Sequence, residues 1–129
     1  MSEKTKQDLA RRAVACPGWR WMPGMRATWP DDGRPARRYG SPGETAGWVS
    51  DYSGKERSIL DAHAIPDLDD PATLGCLLAL VREAWREPAM GANPWGPTRW
   101  EVTARGLHWM GPTEVEALVA ALEAAGGAG

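Results

Sequence analysis

The chain has 129 residues and a mass of 14.0 kDa, enough for one domain with a real core and too little for two ordinary ones. Its 43% apolar and 25% charged residues are those of a globular protein and exclude a disordered tail. A formal charge of −2 gives no global drive toward nucleic acid or membranes, although residues 1–64 hold 11 Lys and Arg against 8 Asp and Glu, and residues 65–129 hold 4 against 9.

The first predicted element is a short helix. Thr5 can cap it, Leu9, Ala13 and Cys16 recur at helical spacing with Ala10 and Val14 beside them, and Pro17–Gly18 stops it. In "WRWMPGMRATW", Trp19 and Trp21 alternate with Arg20 and Met22 as on a strand, Pro23–Gly24 turns the chain, and "MRATW" returns. "PDDGRPARRYGSPGE" reads as a long loop, and "TAGWVSDY" with "ERSILDAHAI" as a hairpin turned around Ser53–Gly54–Lys55.

A central helix follows Asp70–Pro71, with Leu74, Leu77, Leu78, Val81 and Trp85 as its stripe and Cys76 and Leu80 widening it. Gly75 costs helix propensity there, which suggests close approach of a neighbouring backbone. After a Pro/Gly loop, "TRWEVTA" and "LHWM" form a hairpin turned at Arg105–Gly106, with Trp100, Val102 and Ala104 on one face. Thr113 and Glu116 form a capping box for a last helix with Val115, Leu118, Val119 and Leu122 inward, closed by Gly126–Gly127.

The order α–β–β–β–β–α–β–β–α predicts a single layered α+β domain over residues 1–129: an antiparallel twisted sheet of four to six strands with three helices. Residues 1–4 and 126–129 are expected to be loose tails. The N-terminus lacks an apolar signal core, and no apolar run approaches a membrane span, so no membrane partner is expected and the cytoplasm is the expected compartment.

Asp67, Asp69 and Asp70 raise the question of a hard-cation or paired-acid site. Asp70 before Pro71 is better explained as a helix cap, with the other two near the positive end of the helix dipole. Cys16, Cys76, His63 and His108 are too scattered to propose zinc, and neither a nucleophile elbow nor a phosphate loop is present. No metal, cofactor or catalytic residue is expected. Both cysteines fall in apolar helical patterns, as small buried hydrophobes do.

The most suggestive surface lies in the first half, where Arg20, Arg26, Arg34, Arg37 and Arg38 interleave with Trp19, Trp21, Trp29 and Tyr39. Tryptophan and arginine are the side chains of protein-binding hot spots, and the same mixture can stack and neutralise single-stranded nucleic acid. With eight Trp and no Phe, part of this set is also expected to build the core.

"DLARRAVACPGWRWMPGM", "PDLDDPATLGCLLALVREAW" and "RWEVTARGLHWMGPTEVEALVAALEAA" together resemble a group of small proteins encoded by bacteriophages and prophages. Their order is similar to the phage ABA-sandwich domain, over nearly the whole chain except the loop near Asp31–Gly43. The resemblance implies a phage or prophage accessory protein in the bacterial cytoplasm, without catalysis. Its implied mode of action is binding a host or phage protein, including blocking components of antiviral systems such as CRISPR effectors. It carries over no site residues.

Overall fold

A computed structural model of the protein describes residues 3–29, 35–39, 47–50, 56–57, 64–104 and 106–128. Three helices, α1 (Glu3–Val14), α2 (Pro71–Trp85) and α3 (Glu114–Ala128), alternate with two groups of strands. The first group is β1 (Arg26–Thr28), β2 (Ala36–Tyr39), β3 (Gly47–Ser50), β4 (Glu56–Arg57) and β5 (Ile65–Pro66). The second is β6 (Ala92–Pro94), β7 (Trp100–Ala104) and β8 (Leu107–Gly111). The α+β class and the order of helices and strand groups are those expected. The strands form two antiparallel sheets in place of the one expected, β4-β3-β2-β1-β5 and β6-β7-β8; consecutive strands pair within each, except that β5 returns to pair with β1.

The chain divides into two compact units, residues 21–76 and residues 1–20 with 77–129. The divisions fall after Arg20 and inside α2, not in a Pro/Gly-rich linker.

In the unit of residues 21–76, Ala27, Trp29, Ala36, Trp48 and Ala64 form a buried cluster with Trp21 packed on it. The small alanines of β1 and β2 make room for indoles. Trp48 meets Trp21 and Trp29 edge-on at centroid distances of 5.1 and 5.0 Å, and the Arg38 guanidinium lies 5.1 Å from its ring centre. Two local expectations change here. Trp19–Met22 is not a strand: the chain turns, with Trp19 N–H donating to Cys16 C=O and Met25 N–H to Met22 C=O. Gly24, at φ +94°, supplies the left-handed residue of that second turn. Conversely Ala36–Tyr39, read as loop, is a strand because β1 and β3 flank it on both sides. The turn at Ser53–Lys55 and the pair Asp61 and His63 lie outside the described residues.

In the other unit α3 covers β8, β7 and β6 and also meets α1. Leu9, Ala10 and Ala13 of α1 and Cys16 just beyond its end are buried, as are Val115, Leu118, Val119 and Leu122 of α3, in keeping with both expected stripes. Thr5 lies inside α1 and does not cap it, since the helix is already formed at Glu3. Thr113 caps α3 as expected: its Oγ1 accepts from Glu116 N–H at 3.3 Å and donates to the Glu116 carboxylate at 3.1 Å. Gly126 does not end α3. A Cβ there would come within 2.9 Å of the Pro17 ring, so this glycine serves helix-to-turn packing, and the helix continues to Ala128.

Helix α2 begins at Pro71 behind Asp70, as the sequence indicates. Its buried side chains are Thr73, Leu77, Leu80 and Val81, whereas Leu78, expected in mid-stripe, is half-buried. Gly75 corrects a second expectation. It is exposed, and a Cβ there would touch nothing within 4 Å among the described residues, none of whose backbone approaches it. Gly75→Ala is therefore expected to raise the unfolding free energy by up to about 1 kcal/mol, measured by urea titration.

Candidate interaction surface

Most of the first-half arginines and tryptophans have partners within the fold. Trp29 is 4% exposed and Trp48 1%, and Trp21 leans on their cluster. The Arg26 guanidinium donates to the Asp67 carboxylate at 2.7 Å, Arg37 is bidentate to Asp70 at 2.9 Å for both bonds, and Arg38 covers the Trp48 ring. Arg20 is exposed and paired with Glu83, and Trp19 is half-buried. Arg34 lies outside the described residues, and of Tyr39 the structure gives only its place at the end of β2. The five-stranded sheet thus brings Trp21, Arg26, Trp29, Arg37 and Arg38 into one unit, chiefly as core and ion pairs, while Trp19 and Arg20 belong to the other unit.

The three aspartates divide their tasks. Asp70 Oδ2 accepts from Thr73 N–H at 3.0 Å and from the Thr73 hydroxyl at 3.0 Å, so it caps α2 while pairing with Arg37. Thr73, wholly buried, has its Oγ1 accept from the Arg26 N–H at 2.8 Å, which fastens the start of α2 to β1. Asp67 Oδ1 accepts from Asp69 N–H at 3.1 Å in a local turn. The Arg37 guanidinium, aided by the Thr73 donors, holds the Asp70 carboxyl at about 2, against the opposing pull of partial burial. Among the described residues no three His, Cys, Asp or Glu side chains gather as a metal-binding group. Cys16 is buried and Cys76 partly so, and burial raises both thiols above their ordinary range.

Among the described residues the exposed large apolar side chains lie elsewhere, on β8 and in the turn after β6: Trp95 is 61% exposed, Leu107 49% and Met110 43%. Val102 and Ala104 are buried on the face that α3 covers. Alternation puts Glu101 and Thr103 on the opposite face, and the register adds Asn93, His108 and Met110 to it. There His108 Nδ1 lies 3.4 Å from the Glu101 carboxylate. At one end Thr98, Arg99, Met110, Gly111 and Pro112 line a cleft of about 250 Å³, and Trp95 N–H donates to Arg99 C=O at 2.7 Å in the adjoining turn. A second cleft of about 180 Å³ lies by Glu87, Met90 and Thr103. Both are smaller than the roughly 300–1,000 Å³ of typical small-molecule sites.

Trp95 escapes sequence reasoning because "NPWGP" is a turn without periodicity, and only the fold shows its ring uncovered. No described helix is long and apolar enough to cross a membrane. Comparison with family models, curated proteins and solved structures finds no match to this chain.

Proposed function

We propose that the protein acts without catalysis, by binding a protein partner through the outer face of the β6-β7-β8 sheet. The observation that carries this reading is that Trp95, in the turn after β6, and Met110 of β8 are both well exposed, that Arg99 shares a cleft with Met110 while its C=O accepts from Trp95 N–H, and that the other face of the sheet is covered. Aromatic, methionine and arginine side chains are those enriched at protein interfaces. The resemblance to small phage and prophage proteins supports a partner in the bacterial cytoplasm, a component of an antiviral system among them. Single-stranded nucleic acid is the weaker reading, because stacking needs open indole faces and Trp29 is almost wholly buried.

A photo-crosslinking residue in place of Trp95 tests the proposal, with the same residue in place of the exposed Asp8 as control. A discrete adduct at position 95 alone, displaced by the native chain, is expected. A Trp95→Ala/Met110→Ala chain should displace it at least roughly tenfold less well. Equal adducts at both positions, or none in several bacterial lysates, would overturn it.

A further inference from the structure

The four sheet edges are not alike. Strand β4 has two residues, Glu56 and Arg57, β5 has two and includes Pro66, and β6 has three and includes Pro94. Short length, charge and proline are the devices that keep an edge from pairing with another chain. Strand β8, Leu107–Gly111, lacks all of them: it has five residues, with no proline and no Lys, Arg, Asp or Glu. Among the described residues it pairs with β7 alone.

The register fixes which backbone groups of β8 face outward. Ala104 and Leu107 are partners across a two-residue connection, so they are a hydrogen-bonded pair, since the next pair inward would be the turn itself. Bonded and non-bonded pairs alternate, so Val102 with Trp109 and Trp100 with Gly111 are bonded too. The N–H and C=O groups of Leu107, Trp109 and Gly111 therefore serve β7, and those of His108 and Met110 point away from it.

We infer that β8 pairs antiparallel with β8 of a second copy, about a twofold axis at Trp109, joining two three-stranded sheets into one of six strands. In this register His108 and Met110 of one copy meet Met110 and His108 of the other as two hydrogen-bonded pairs, which uses all four outward groups of each strand. Neighbouring registers fail. Centring on Met110 sets Pro112, which has no N–H, opposite His108. Centring on His108 sets Gly106, in the turn at φ +78°, opposite Met110. The Trp109 register brings no like charges together and sets the two Trp109 residues opposite each other as a non-bonded pair, each ring packed on its own chain's Trp85 at 4.8 Å and half-buried.

Sedimentation of the purified chain over roughly 1 µM to 1 mM tests this, with amide exchange read residue by residue. The expected result is a concentration-dependent rise to twice the 14.0 kDa chain mass. The His108 and Met110 amides should gain protection in step, while those of Leu107 and Trp109 stay protected throughout. His108→Pro removes an outward N–H without touching the β7 ladder, and Met110→Lys adds the missing edge charge; each should return the chain to the monomer mass. A single 14.0 kDa species across the range overturns the inference, as does a dimer that persists in both variants with native melts. Should His108→Pro fail to fold, Met110→Lys and the amide pattern of the native chain still decide. The inference is independent of the proposed function: a monomer that still gives the position-95 adduct overturns the pairing alone.

Discussion

Trp48→Ala is expected to lower the unfolding free energy by roughly 3–5 kcal/mol, the largest loss from any single substitution considered. The ring is 1% exposed, and removing it leaves a cavity in a sheet whose neighbouring core positions are alanines, Ala27, Ala36 and Ala64, too small to collapse into the space. It also removes two edge-to-face contacts, with Trp21 and Trp29, each worth about 0.5–1.5 kcal/mol beyond area burial, and strips the Arg38 guanidinium of its aromatic face. For a protein whose total stability is of order 5–15 kcal/mol, such a chain sits close to unfolding. Urea titration followed by Trp fluorescence measures it, with Trp95→Ala as the contrasting exposed case, expected within about 0.5 kcal/mol of native. A loss under about 2 kcal/mol for Trp48→Ala would contradict the rigid packing described.

Asp70→Ala is expected to cost roughly 2–4 kcal/mol, because one carboxylate both caps α2 and answers Arg37. Capping alone accounts for about 0.5–2 kcal/mol, and the remainder is the Arg37 guanidinium left beside Gly24 C=O without its counterion. Asp70→Asn keeps a capping oxygen and should lose less. The same pair makes stability fall in acid. The Asp70 carboxyl sits at about 2 in the folded chain and near its ordinary value of 3.8 when unfolded, so the unfolded chain takes up the proton first as pH falls. The contribution, on the order of 1–2 kcal/mol once solvent screening of the part-exposed pair is allowed for, is complete above pH about 5 and is lost progressively down to pH about 2. Comparing native and Asp70→Asn stabilities across that window isolates it; parallel curves would show that Arg37 does not hold the carboxylate.

Sequence made visible whatever is written within one turn of chain. Asp70–Pro71, Thr113 with Glu116, Pro23–Gly24 and the Trp100–Ala104 alternation all emerge as expected, since capping, turns and pleating act over four or five residues. What stayed hidden depends on partners far along the chain. Arg37 and Asp70 stand 33 positions apart, and Arg26 and Thr73 stand 47 apart. Nothing local distinguishes an arginine that serves a cap from one that meets a ligand, so the first-half Arg and Trp residues read equally as core with its ion pairs or as a binding surface. Ala36–Tyr39 became a strand for the same reason: neighbouring strands on both sides decide it against a Pro/Gly-rich setting.

The division of the chain also dictates a timetable. Residues 21–76 form a contiguous unit, but α1 belongs with a segment synthesised much later: Arg12 pairs with Glu123 across 111 positions, and Gly18 and Pro17 abut Leu122 and Gly126. During synthesis the inner segment has all of its own residues available while the first helix still waits for its mate. Any premature stop before α3 would strand the opening helix with its apolar stripe uncovered, while the inner segment would be complete in sequence.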